Sequence, residues 1–185
     1  MVALPHDTLA DHAKWGLGIV TGNNRKFIRH TNLPEHMPVY KGRDILKGSL
    51  KPPTNFIPRE TSLYQQVPPL KLFLAKEKLI YKFISSNLCF YHDKDQSFFI
   101  NSANMLILDK SFPISSKQLC DLLNSNIMNW FFRTMFETHK VLRSDLECLP
   151  IHTKFFENCH KFNEEDYLTY LGIVEDENGT FRIKE

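Results

Sequence analysis

The sequence has no apolar run of the length that spans a bilayer, and Met1 to Asp7 do not form a charged-then-apolar leader. Both absences argue against a membrane or secreted protein and favour the cytoplasm. Cysteine is scarce and scattered: Cys89, Cys120, Cys148 and Cys159 include no C-x-x-C pair, which argues against a zinc ribbon and against a disulfide framework. The eight His show no His-x-x-x-His spacing, so no helix offers a metal two imidazoles on one face. No metal site is expected. No Gly-x-Ser-x-Gly elbow and no Cys/His pairing points to a nucleophile. Gly16 and Gly18 lack the third glycine and the following helix of a dinucleotide fingerprint.

A surplus of one charge is also missing, since 23 Lys+Arg and 21 Asp+Glu leave +2. The distribution says more. Residues 1–151 hold 19 Lys+Arg and 13 Asp+Glu, while residues 152–185 hold 4 and 8. A mildly basic body with an acidic tail is compatible with a polyanion partner without demanding one. At 185 residues and 42% hydrophobic, the chain can bury the core of one domain, with or without an appendage. Most of its fifteen Phe and six Tyr are expected to fill that core.

What is present centres on Glu77–Asp109. Three β-branched and aromatic runs, Leu79–Ser85, Leu88–His92 and Phe98–Leu108, are too short for stable helices and read as adjacent strands of one sheet. Asp93-Lys94-Asp95-Gln96 suits a hairpin turn between the last two. Before them, residues 1–14 read as a helical lead-in capped by Asp7, and Gly16–Ile28 as a strand, a turn at Thr21–Asn24 and a return strand. Residues 31–69 hold seven of the ten prolines, with Lys41, Arg43, Lys47, Lys51 and Arg59 interleaved. Proline at that density excludes long helices and central strands. After the strands, Ser115 caps a helix whose apolar residues Leu119, Leu122, Leu123, Ile127, Trp130 and Phe131 recur at helical spacing as far as about His139. Residues 152–185 predict a short helix at Glu164–Leu168 and a final strand pair around Asn178-Gly179.

Several stretches resemble one family. Gly18–Ile28 (GIVTGNNRKFI), Gly42-Arg43-Asp44-Ile45, Glu77–Ser85 (EKLIYKFIS), Ile100–Leu108 (INSANMLIL), Leu122–Phe132 (LLNSNIMNWFF) and Lys140–Ile151 are similar to successive elements of the TaqI-like C-terminal specificity domain. That domain belongs to adenine-specific DNA methyltransferases and related type IIG restriction-modification enzymes. The resemblance implies a mixed α/β (α+β) fold with a twisted, mainly antiparallel sheet, one long packed helix and Pro-rich loops. It divides the chain into a lead-in at 1–14 from an upstream module, a target recognition domain at 15–151 and an acidic appendage at 152–185.

It further implies that the chain reads bases in the major groove of double-stranded DNA while an N-terminal methyltransferase domain of the same protein modifies adenine. Phosphate contacts are expected from Arg25, Lys26, Lys41, Arg43, Lys47, Lys51 and Arg59. Asn23 and Asn24 either reach base edges or build the turn. The parent enzyme would use S-adenosylmethionine, and magnesium where a nuclease is attached; this chain would hold no cofactor and no catalytic residue. Lys51-Pro52-Pro53-Thr54 and Val67-Pro68-Pro69-Leu70 lack the flanks of the family's catalytic Pro-Pro motif, and no acid is followed two positions later by Lys. Glu77, Asp93 and Asp95 are accordingly read as turn and edge charges. Rival readings are a type I-like specificity subunit, an α/β protein-interaction module without nucleic acid, and an intact small enzyme, the last disfavoured by the missing motifs.

Overall fold

The computed structural model describes residues 4–159 and 161–184. Its centre is an antiparallel sheet built from β1 (Ala13–Leu17) and three strands of the aromatic stretch. Between β1 and that stretch the chain forms α1 (Asn24–Phe27), β2 (His36–Pro38), β3 (Ile45–Leu46), β4 (Ser49–Leu50), β5 (Phe56–Pro58) and α2 (Leu70–Phe73). The central strands are β6 (Lys78–Lys82), β7 (Phe90–Asp93) and β8 (Ala103–Leu108). Then come α3 (Ser116–Asn124), α4 (Asn126–Met135), α5 (Arg143–Glu147), α6 (Glu164–Leu171), β9 (Ile173–Glu175) and β10 (Phe181–Ile183). The fold is mixed α+β, as expected.

Alternation with a period of two sorts the sheet residues onto two faces. Leu79, Tyr81, Phe90 and Leu106 pack with the helices and the C-terminal segment, among them Leu119, Leu122, Leu123, Phe132 and Tyr167. Ile80, Cys89, Ala103 and Met105 pack with Ile19, Val39, Ile45, Ile57 and Phe73. The helices thus cover one face and the irregular segment 18–74 covers the other. Leu122 and Leu123 expose nothing and Phe131 is buried, whereas Trp130 is half-buried.

Five local expectations change. The sheet order is β1-β8-β6-β7, so β7 and β8 do not pair. Both run antiparallel to β6, and residues 94–102 cross over it instead of closing a hairpin at Asp93–Gln96. Asp93 itself is buried at 0% exposure, not an edge charge. The expected single helix from Ser116 is broken at Ser125, whose extended backbone (φ −67°, ψ 158°) separates α3 from α4. Ser125 Oγ accepts from the Met128 amide at 3.2 Å and donates to the Leu122 carbonyl at 2.6 Å. One hydroxyl therefore caps both helices, and the polar run Asn124-Ser125-Asn126 gives the backbone local partners that compete with the helical ladder. The return strand expected at Lys26–Ile28 is the helical turn α1, because Asn23 Oδ1 accepts the Lys26 amide at 3.0 Å. Asp7 caps no helix; its backbone pairs with Ile151 at 2.9 Å in both directions, and its carboxylate accepts from the Thr153 hydroxyl.

The C-terminal expectations hold. Asn163 caps α6, Gly172 ends it at φ 65°, and β9 pairs antiparallel with β10. Tyr167, Leu171, Ile173 and Phe181 share the helix-side core, and Glu164 Oε1 accepts the Ile127 amide of α4 at 2.7 Å.

Candidate nucleic-acid interface

The irregular layer over the second sheet face is where charge accumulates. Residues 18–74 contain nine Lys/Arg against Glu35, Asp44 and Glu60, the same surplus that the whole of residues 1–151 carries. Proline explains why these cations are presented on short turns: segments that cannot join a ladder or a helix leave their side chains to solvent.

The layer is irregular but anchored. The Gly18 and Ile19 amides donate to the Ala103 and Phe99 carbonyls at 3.0 and 2.9 Å, and the Tyr40 amide to the Phe98 carbonyl at 2.9 Å. The Gly42 amide donates to Ser102 Oγ at 2.9 Å. A Cβ at Gly18 would collide with the Ile100 carbonyl, and one at Gly42 with the Ser102 carbonyl. Glycine is required at both positions because another backbone occupies the space. Three sequence stretches, Gly18–Ile28, Gly42–Ile45 and Ile100–Leu108, therefore meet at one junction.

The nine residues expected at the interface fall into four places. Asn23, Asn24, Arg25 and Lys26 are exposed on and before α1. The Asn23 carbonyl oxygen is engaged as the cap of α1, which favours its turn role. Asn24 Oδ1 accepts from the buried Thr21 hydroxyl at 2.6 Å. Lys26 Nζ lies 5.0 Å from the Phe27 ring centroid, a cation–π contact.

Lys41, Arg43 and Lys51 gather around the tight turn Gly42–Asp44, where the Lys51 amide donates to the Asp44 carbonyl at 2.9 Å. Lys41 is half-buried, and its ammonium is pushed below the ordinary lysine range first by that burial and then by Arg43. Two cations at one turn repel each other and gain from an anion placed between them. The Arg43 side chain is 68% exposed with its Nε 3.9 Å from Asp44 Oδ1, a contact too long and wet to tie it down.

Arg59 follows β5, its amide donating to the Glu35 carbonyl at 2.9 Å. Lys47 departs from the rest. It sits with Gly48 (φ 71°) at the tip of the β3–β4 hairpin and lines a groove of about 770 Å³ shared with Asn126, Trp130 and Arg133 of α4. Arg25, Lys26, Lys47, Lys51 and Arg59 form no ion pair with a described residue.

Three residues escape a reading of the sequence. Arg29 is exposed and pairs its backbone with Phe56 at 2.8 and 2.9 Å; it directly follows the Gly18–Ile28 stretch, which was the available signal. Gln65 and Asn101 join Thr21, Gly22 and Asn24 around a small polar groove of about 190 Å³. Nothing in the local sequence marks Gln65, and the signal for Asn101 was its place in the Ile100–Leu108 stretch. Among the described residues, no three His, Cys, Asp or Glu are grouped to hold a metal, and no helix is long and apolar enough to cross a membrane.

A comparison with curated proteins finds 51% identity over 47 residues with the type II methyltransferase M.VspI of Vibrio sp. (strain 343). That stretch is 25% of this chain and only 12% of the relative. The TaqI-like C-terminal specificity domain matches residues 37–151, which takes in the Gly42–Asp44 turn, the sheet strands β6 to β8 and the divided helix α3–α4. With that match across more than half of its length, the chain belongs to the family of TaqI-like C-terminal specificity domains.

Proposed function

We propose that this chain is the DNA target-recognition module of a restriction-modification methyltransferase. The observation that carries the reading is the one-sided cationic layer: nine Lys/Arg against three acids, on turns anchored to a rigid sheet. Phosphate contacts by such side chains position a protein on duplex DNA, and polar side chains between them read base edges in the major groove. In this reading Arg25, Lys26, Arg29, Lys41, Arg43, Lys51 and Arg59 face phosphates, and Lys47 contacts a more distant part of the backbone. Methyl transfer from S-adenosylmethionine to an adenine amine belongs to a separate catalytic domain of the same cytoplasmic protein, which grips the duplex from another side. A magnesium-dependent nuclease belongs to the parent only in the type IIG form.

The test is duplex binding by this chain across a salt series. The expected affinity lies in the non-specific range, roughly 1–100 μM, and log K falls with log salt at about −0.9 per neutralised phosphate. Replacing Arg43 and Arg59 together by Ala flattens the slope by about two contacts' worth and leaves the melting temperature nearly unchanged. Lys154→Ala with Lys161→Ala, in the acidic tail, is the comparison pair and leaves the slope as it was. Binding that ignores salt, or a slope untouched by the Arg pair, defeats the reading and favours a protein-interaction module.

A further inference from the structure

Resting on the DNA-reading function, we infer that the polar groove between Asn24, Gln65 and Asn101 is a base-reading site, that Gln65 and Asn101 determine specificity, and that they select adenine. The groove gathers three primary amides from three distant parts of the chain, with Thr21 and Gly22 completing its wall. Asn24 is oriented by the buried Thr21 hydroxyl, which occupies its Oδ1 and leaves Nδ2 outward as a donor. Neither the Gln65 nor the Asn101 side-chain carboxamide is hydrogen-bonded to a described residue. Each still offers one donor and one acceptor on the same planar group. Adenine presents the matching pair in the major groove, the N7 acceptor beside the N6 amine, and Asn and Gln meet it bidentately.

The site is pre-organised even though its side chains face solvent. The Asn101 amide donates to the Ile19 carbonyl at 3.0 Å, and Val20 and Gln66 exchange backbone hydrogen bonds at 2.9 and 3.1 Å. Gly22 holds φ 77°, and a Cβ there would lie 3.2 Å from the Gln65 Cβ, so glycine lets the Asn24 turn close onto Gln65. Arg25 and Lys26 directly follow Asn24 of the groove, and neither forms an ion pair with a described acid. A base edge in the groove would place its flanking phosphates near these two cations.

The experiment starts from duplexes enriched by the 185-residue chain out of a randomised pool. Each adenine of the enriched site is then replaced singly by 7-deazaadenine, which removes the N7 acceptor and keeps the amine. At one or two positions the replacement weakens binding about 5- to 150-fold. The same replacement changes binding less than about twofold for Gln65→Leu with Asn101→Leu. Gln65→Glu, which turns a donor into an acceptor, shifts enrichment at one adenine position towards cytosine, whose N4 amine is a donor. Circular dichroism melts of all variants confirm folding. A site without any adenine sensitive to the replacement, or one equally sensitive in the Leu variants, overturns the inference while the DNA-reading function stands. Failure of the unaltered chain to retain any duplex overturns both.

Discussion

Lys78 and Asp93 face each other across the β6–β7 ladder with Nζ 2.5 Å from Oδ2, and neither side chain is exposed at all. Lys78 also donates to the Phe73 carbonyl at the end of α2 at 2.7 Å. The Asp93 carboxylate accepts from the Ser97 amide at 3.0 Å and from its hydroxyl at 2.7 Å. The pair thus ties two strands, the end of the basic layer and the start of the crossover at one point. Burial lowers the Lys78 pKa, and the hydrogen bond that Lys78 donates to Asp93 acts against that shift.

Removing one partner is far worse than removing both. Asp93→Ala leaves a dry ammonium without its counter-ion and is expected to cost about 3–5 kcal/mol in urea unfolding. Lys78→Met combined with Asp93→Leu recovers most of that loss. A single variant as stable as the original chain would show that water reaches the pair.

The junction of the three stretches makes a steric prediction. Gly42→Ala drives a methyl group into the Ser102 carbonyl, a backbone atom that no rotamer change can move aside. The expected loss is about 1–3 kcal/mol. Gly48→Ala meets nothing within 4 Å but must hold φ 71°, and loses about 1–2 kcal/mol by strain alone. Amide exchange at Ser102 and Ala103 separates the two, since only Gly42→Ala accelerates it.

Ser125→Ala removes the acceptor for Met128 and the donor to Leu122 together. Cap losses of this kind cost about 0.5–2 kcal/mol. Leu123→Ala, by contrast, opens a cavity at a fully buried position and costs about 2–5 kcal/mol. If the two ranked in the opposite order by denaturant midpoint, the break at Ser125 and not the apolar face would hold the helices on the sheet.

Alkaline pH supplies a fourth test. Burial raises the Tyr81 phenol from 10.0 to about 12 and the Cys120 thiol from 9.0 to about 12. In the unfolded chain both groups lose their protons earlier, so the folded state binds more protons between the two values. Stability is therefore intact below about pH 9 and falls as the pH climbs towards about 12. Ultraviolet phenolate absorbance should rise together with the loss of structure. Titration of Tyr81 near its ordinary value in a folded chain would contradict its burial.

The strands of Glu77–Asp109 were legible because short β-branched and aromatic runs are a local signal, and in the fold Leu79, Ile80 and Tyr81 alternate between the two cores. Their order was not, because periodicity assigns a face and names no neighbour. Asp93–Gln96 has turn composition and does turn, with Gln96 at φ 56°, yet the chain leaves it for the far side of β6. The break at Ser125 left a trace in Asn-Ser-Asn, a capping signature masked by the apolar stripe that runs through it. Exposure of the basic residues followed from proline density. The groove of Asn24, Gln65 and Asn101 could not be foreseen, because its members meet only through tertiary pairing at Ile19 and Val20.

The junction of α3 and α4 has one more effect, on the outer margin of the sheet. Asn124 accepts from the Phe90 amide at 2.8 Å and donates to its carbonyl at 2.9 Å, while Asn129 accepts from the Leu88 amide at 2.7 Å. Two carboxamides stand where another strand's peptide groups would bond, and the Gly48 amide takes the Phe90 carbonyl as well at 2.9 Å. A bare margin rich in Phe and Tyr would recruit its counterpart on a second molecule and grow into fibrils. Here the side chains act as stoppers, so at Leu88 and Phe90, where the margin of β7 begins, a second molecule finds these peptide groups already taken.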